Sequence, residues 1–115
     1  MRIKLIRTFS AAHHLPHYDG PCHDLHGHTW KTVCIIEGPV QGNGMVCDFK
    51  KIKKLLDSLL PDHQLLNDIL PNPTAENLAQ FYFKKIGSEL KKQNLILKTL
   101  EIWESDYAAA VVEGE

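Results

Sequence analysis

Six of the seven histidines of this chain fall between residues 13 and 28: His13, His14, His17, His23, His26 and His28. Their spacing restricts the fold more than any other feature. His26 and His28 flank Gly27 at i and i+2, and on an extended strand that spacing sends both imidazoles to one face. The glycine leaves the opposite face clear. Before them, Ile3, Leu5 and Arg7 alternate with Lys4, Ile6 and Thr8, so residues 2–10 read as a strand with at least one buried face. Ser10-Ala11-Ala12-His13 ends that strand. If it pairs antiparallel with the segment carrying His26 and His28, His13 lies across from them and three imidazoles can share one ion. Three histidines plus an open position is the ligand pattern of catalytic zinc. His14, on the opposite face, and His17 and His23, in the loop, read as surface residues or supporting donors.

The rest of the chain supplies a scaffold for such a pair of strands. Residues 15–24 read as a loop. Residues 27–37 are rich in β-branched and aromatic types and read as a second strand ended by Gly38-Pro39. Gln41-Gly42-Asn43-Gly44 is turn chemistry, expected to return the chain as a hairpin into Met45-Val46-Cys47. Asp48 stands where a helix N-cap belongs. Phe49, Ile52, Leu55, Leu56 and Leu59 follow at helical spacing, with lysines on the other face, and Pro61 stops the helix. A second helix is expected from about Thr74, with Glu76 in its first turn, where a negative charge suits the dipole. Leu78, Phe81, Tyr82, Ile86 and Leu90 form its apolar stripe. Residues 95–103 and 107–112 read as closing strands. The order is β-β-α-α-β-β, an α+β arrangement with both helices on one face of an antiparallel sheet.

Residues 1–115 make one domain. A core of that size leaves no room for a spacious internal cavity, so a small-molecule site is expected at an edge or between subunits. The net charge of −1 lacks the basic excess of a nucleic-acid-binding domain. No apolar run approaches the roughly 20 residues that span a bilayer. Met1-Arg2-Ile3-Lys4 opens a strand pattern rather than a signal peptide. The chain therefore reads as intracellular and cytoplasmic. Cys22, Cys34 and Cys47 cannot all pair within one chain, and none sits in a Cys-x-x-Cys spacing, which argues against a disulfide framework or an all-cysteine zinc site.

Other side chains extend the histidine site. Cys22 precedes His26 by four positions. Close to a divalent cation its thiol would gain thiolate character, suiting it as a base, a nucleophile or a fourth ligand. Cys34 and Cys47 read as small buried hydrophobes. In Asp62-His63 the carboxylate can polarise the imidazole, as in proton relays. Glu104 follows a mainly apolar strand and can take a bidentate pair of donors from a ligand.

Phe9-Ser10-Ala11-Ala12-His13, Cys22-x-x-x-His26-Gly27-His28, Asp62-His63-x-x-Leu66-Asn67-Asp68, Asn72-Pro73-Thr74-x-Glu76 and Glu104 come in an order that resembles the 6-pyruvoyl-tetrahydropterin synthase superfamily over nearly the whole chain. The three residues between Cys22 and His26 are similar to the 6-carboxy-tetrahydropterin synthase branch of the queuosine pathway. The pyruvoyl-forming branch usually has a longer gap, and a third branch has glutamate in place of the cysteine. The resemblance implies a tunnelling fold, in which subunits join their sheets into a barrel as a homo-oligomer, trimer or hexamer. It implies Zn2+ on His13, His26 and His28, and Cys22 as proton acceptor. It implies a relay of Asp62 and His63, and Glu104 with Thr74 on the pterin. The implied reaction converts 7,8-dihydroneopterin triphosphate to 6-carboxy-tetrahydropterin, acetaldehyde and triphosphate. Triphosphate elimination to 6-pyruvoyl-tetrahydropterin, epimerase or aldolase action on related pterins, and non-catalytic zinc or pterin binding remain open alternatives. Pro61 and Trp30 depart from the residues usual at their positions.

Overall fold

Two long strands on either side of the histidine-rich loop form the spine of the molecule. The computed structural model describes residues 1–114. β1 (Arg2–His13) and β2 (His26–Glu37) pair antiparallel along their full length. Ile3 faces Ile36, Leu5 faces Cys34, Phe9 faces Trp30, and His13 faces His26. Opposed residues share a sheet face, so this register puts an apolar column and the histidines on the same side. β1 ends at His13 as anticipated, with Ala11 and Ala12 continuing the ladder.

α1 (Phe49–Leu59) and α2 (Ala75–Lys91) cover that face, and β4 (Ile96–Trp103) and β5 (Ala109–Glu113) complete the sheet. Among the described residues the strand order is β3-β1-β2-β4-β5, where β3 is the two-residue strand Gln64–Leu65. The α+β architecture and the order of the main elements are as the sequence led us to expect. Three details differ. β3 runs parallel to β1, at Ala11 and Ala12, so the sheet is mixed rather than wholly antiparallel. Two residues carry too little periodicity to be read as a strand. The expected return strand at Met45-Val46-Cys47 does not form. The turn does: Gly44 N–H donates to Gln41 O, and Gly44 adopts φ 84°, which favours glycine. The chain then enters α1 directly, with only Val46 buried. The last strand starts at Ala109, leaving Tyr107 94% exposed.

Both helices are capped, α1 by the Asp48 anticipated for it and α2 by Thr74, near which its start was expected. The Asp48 side chain accepts from Lys50 N–H, and the Thr74 hydroxyl accepts from Asn77 N–H. Asn94, in a left-handed conformation, ends the turn after α2, where Leu95 N–H donates to Leu90 O. On α1 the buried positions are Ile52 and Leu56; Phe49, at its first turn, is half exposed. Arg7 of β1 makes paired 2.7 Å bonds to both carboxylate oxygens of Asp57, tying α1 to the sheet. Leu78, Tyr82, Ile86 and Leu90 of α2 pack into the core with Leu97, Leu100 and Ile102 of β4.

Leu100 is fully buried and sits between Cys34 of β2 and Val112 of β5. Leu100→Ala should destabilise the protein by roughly 2–5 kcal/mol through lost burial and an unfilled cavity. Urea unfolding followed by far-UV circular dichroism measures it.

Candidate metal and active site

The β1–β2 register delivers His13 and His26 as directly opposed residues, with His28 one step along the same face. Glu104, in the turn after β4, reaches the cluster from the other side of β2. The ring atoms converge closely. His13 Nε2 lies 3.0 Å from His26 Nε2 and 3.3 Å from Glu104 Oε1, and His28 Nε2 lies 3.2 Å from that same oxygen. One donor atom from each of the four residues falls within 4.8 Å of all the others.

The outer nitrogens of two of these rings are committed. His13 Nδ1 donates to Pro73 O at 2.8 Å, and His26 Nδ1 donates to Asp24 O at 2.7 Å. A neutral imidazole carries one proton, so each Nε2 presents a lone pair. Two lone pairs 3.0 Å apart repel unless a cation lies between them. Nitrogens at tetrahedral positions around an ion with bonds of about 2.0–2.1 Å would sit roughly 3.3 Å apart, close to what is seen. His28 Nε2 adds an independent sign. The atom is buried and has no hydrogen-bond partner; it approaches Glu104 off the line such a bond needs. Backbone carbonyls behind the rings are the usual support of metal-bound histidine. This donor set fits zinc.

Burial tunes the rings toward that use. His13 is fully buried. Desolvation holds its pKa below the ordinary imidazole value, against the opposing bond to Pro73 O. Desolvation lowers His28 as well, more than nearby Glu104 raises it. Both rings therefore stay neutral at neutral pH, the form that binds metal. Trp30 is the floor of the site. It is fully buried, stands edge-on to His13 and His28 with centroids 5.0 and 5.3 Å away, and donates its indole N–H to Ala11 O.

The short strand β3 brings in the second group. Asp62 Oδ1 accepts from Ser10 N–H at 2.8 Å, while His63 N–H donates to Ser10 O. Asp62 Oδ2 lies 2.9 Å from His63 Nδ1. The Ser10 N–H bond, and then the His63 bond, hold the Asp62 carboxyl below the usual carboxylate range. His63 itself occupies the left-handed region at φ 57°, uncommon for a non-glycine residue and held here by the two Ser10 bonds. His63 and His28 line one open cavity of about 700 Å³, walled by Ala12, Leu25, Thr29 and Leu65.

The structure thus gathers His13, His26, His28 and Glu104 into one cluster, and of these four only His28 also lines the cavity at His63. Cys22 lies on the short turn Pro21–His23, half-buried, and is not one of the four clustered donors. Thr74 caps α2 next to Pro73, whose carbonyl orients His13. Cys34 behaves as expected of a core thiol: burial pushes its pKa up to about 12. Two supports were not legible as such. Asn67 accepts from His14 N–H and donates to His14 O, both at 2.9 Å, and so clamps the chain just after His13. Its place in Leu66-Asn67-Asp68 was the available signal. The carbonyls of Pro73 and Asp24 leave no trace in side-chain types.

A family model for 6-pyruvoyl tetrahydropterin synthase matches residues 2–115. The chain belongs to this family. Among curated relatives in the family is a dihydroneopterin monophosphate aldolase of Pyrococcus furiosus, 36% identical over 107 residues, covering 91% of this chain and 90% of the relative. A 6-carboxy-5,6,7,8-tetrahydropterin synthase of Synechocystis sp. is 39% identical over 89 residues, 69% of each chain. The structure of a Caenorhabditis elegans 6-pyruvoyl tetrahydropterin synthase superposes with a TM-score of 0.85 at 27% identity, covering 100% of this chain and 96% of that one.

Two outcomes are expected of this site. Asn67→Ala should free the His14 backbone, cost about 1–3 kcal/mol for the unpaired groups, and weaken zinc binding roughly 10–100-fold by loosening His13. Competition with a chelator measures the affinity. In metal-free protein, the unfolded chain takes up protons below its ordinary imidazole pKa that folded His13 and His28 refuse. Stability should therefore fall as pH drops below about 6.5, and His28→Gln should flatten that fall. Urea midpoints between pH 7.5 and 5 test the sign.

Proposed function

We propose that this chain is a zinc-dependent 6-carboxy-5,6,7,8-tetrahydropterin synthase acting on 7,8-dihydroneopterin triphosphate, as in queuosine biosynthesis. The observation that carries the reading is the pair of Nε2 lone pairs of His13 and His26, aimed at one point beside His28 and Glu104. In this reading His13, His26 and His28 hold Zn2+, which as a Lewis acid acidifies the side-chain hydroxyls of the substrate. His63, exposed beside Asp62, moves protons, in a site at a subunit boundary that can draw its groups from different chains. Asp62 keeps its ring oriented and stabilises the charged form. Cys22 is the base that takes a proton from the side chain. Glu104 receives two N–H donors from the guanidine-like edge of the pterin, a geometry that rejects analogues lacking them. Thr74 completes the α2 side of the site next to Pro73.

The same reading includes cytoplasmic action and a homo-oligomer, trimer or hexamer. Among the described residues no helix is long and apolar enough to cross a membrane. β5 pairs with β4 alone, and Ile6 and Val111 stand half exposed on the sheet face away from the helices. Joining these edges between subunits would cover both features.

A second reading is favoured by the 36% identity to a dihydroneopterin monophosphate aldolase. There the same groups would cleave the side chain by a retro-aldol step, releasing a phosphorylated two-carbon aldehyde. Incubating the zinc-loaded protein separately with 7,8-dihydroneopterin triphosphate and 7,8-dihydroneopterin monophosphate, with products identified by mass spectrometry, separates the two. The synthase reading expects 6-carboxy-tetrahydropterin, acetaldehyde and triphosphate. It expects Cys22→Ala to keep zinc and lose about 10²–10⁴-fold in turnover. Appearance of 6-pyruvoyl-tetrahydropterin, a phosphorylated aldehyde, or no product with zinc fully bound would each overturn it.

A further inference from the structure

Glu104 is asked to do two things that one carboxylate cannot do together. To grip the guanidine-like edge of a pterin it must offer both oxygens to two parallel N–H groups. Yet Glu104 Oε1 stands 3.3 Å from His13 Nε2 and 3.2 Å from His28 Nε2, inside the donor cluster. With His13 Nδ1 committed to Pro73 O, its Nε2 has no proton to give that oxygen while the ring is neutral, and His28 Nε2 makes no hydrogen bond to it. What meets at this point is the lone pairs of two nitrogens and a carboxylate oxygen, with the unpartnered His28 Nε2 beside them. A three-histidine, one-carboxylate set is closed in the manner of structural zinc, whereas catalysis needs one position free.

We propose that Glu104 is the fourth ligand of the three-histidine metal in the substrate-free protein, and that it leaves that position when the N–H edge of a pterin takes its carboxylate. This rests on the pterin-enzyme reading given above. The move is within reach. The Glu104 side chain is 32% exposed, whereas His13, fully buried, is not free to follow. The residue lies in the turn between β4 and β5, held through its backbone by Glu104 N–H to Ala108 O. The metal position is then opened by recognition of the ring, before the side chain of the substrate arrives at it. A ligand with the wrong edge leaves the site closed.

The test uses the Co2+-substituted full chain, azide as a probe for an open position, and 6-methylpterin, which has the N–H edge but no side-chain hydroxyls to enter the coordination sphere. Azide binding is read from the visible d–d bands. In the unaltered protein azide should bind weakly alone and about tenfold or more tightly with 6-methylpterin present; by linkage, azide should tighten 6-methylpterin equally. In Glu104→Gln, azide should bind tightly without pterin, and Co2+ affinity should fall. Losing a ligand must cost at least what losing the support of a ligand does, roughly tenfold. One Co2+ per chain and an unchanged far-UV spectrum show that the variant is folded; Glu104→Ala repeats the test without an amide oxygen. Equal azide affinity and equal spectra in the unaltered protein and both variants would overturn the proposal. So would 6-methylpterin that binds, by tryptophan quenching, without changing azide affinity. Absence of any pterin binding sinks the pterin reading and the exchange with it. A protein that shows the coupling but forms no 6-carboxy-tetrahydropterin supports the exchange and removes only the synthase assignment.

Discussion

The antiparallel register of β1 on β2 is the constraint on which everything else here depends. It places His13 opposite His26 and, through the same two-residue repeat, Phe9 opposite Trp30 and Leu5 opposite Cys34. The apolar column and the ligand set are therefore locked to one another. A slip of one residue would turn the core side chains to the open face and scatter the imidazoles. Each fully buried side chain of that column favours the correct register by roughly 1.5–3 kcal/mol. Hydrophobic burial thus sets the alignment of the imidazoles.

Placing imidazoles at the buried end of a sheet has a cost, and the structure shows how it is met. A buried ring nitrogen without a partner costs free energy. Pro73 and Asp24 satisfy the outer nitrogens of His13 and His26 with backbone carbonyls, which in turn dictate where the remaining lone pairs point. Trp30 fills the space beneath without competing for those lone pairs, because its N–H goes to Ala11 O. What is left unsatisfied, His28 Nε2, faces the cluster. Thr32 Oγ1, deeper in β2, is the other buried side-chain atom without a partner among the described residues; at the cluster a cation would satisfy His28 Nε2.

Ser10 links the histidine cluster to the Asp62–His63 pair. Three positions before His13, its N–H and C=O hold Asp62 and His63 in a left-handed turn that feeds β3. The parallel pairing of β3 with Ala11 and Ala12 then fixes His63 at the cavity edge. A strained backbone persists because the strand beside it is rigid.

Much of this was legible in the chain. The i, i+2 histidines, the strand ending at His13, the helix cap at Asp48, the helix start near Thr74 and the stop at Pro61 are local matters of periodicity and capping, and residue order alone determines them. The failures were equally physical. Met45-Val46-Cys47 has the composition of a strand, but after its turn it enters α1 directly and pairs with nothing. Gln64–Leu65 has no strand signal, yet becomes one because Ser10 holds the preceding turn against β1. The sequence by itself determined which residue types can bind a metal and which strand face they share. Only the tertiary structure decided that Glu104 joins them, that Asn67 clamps His14, and that Pro73 and Asp24 orient the rings. Those contacts join residues 53 to 91 positions apart, except that of Asp24, which reaches His26 two positions away through a backbone carbonyl. Carbonyls are the same in every residue, so their direction is set by how the chain is packed and not by which side chains it carries.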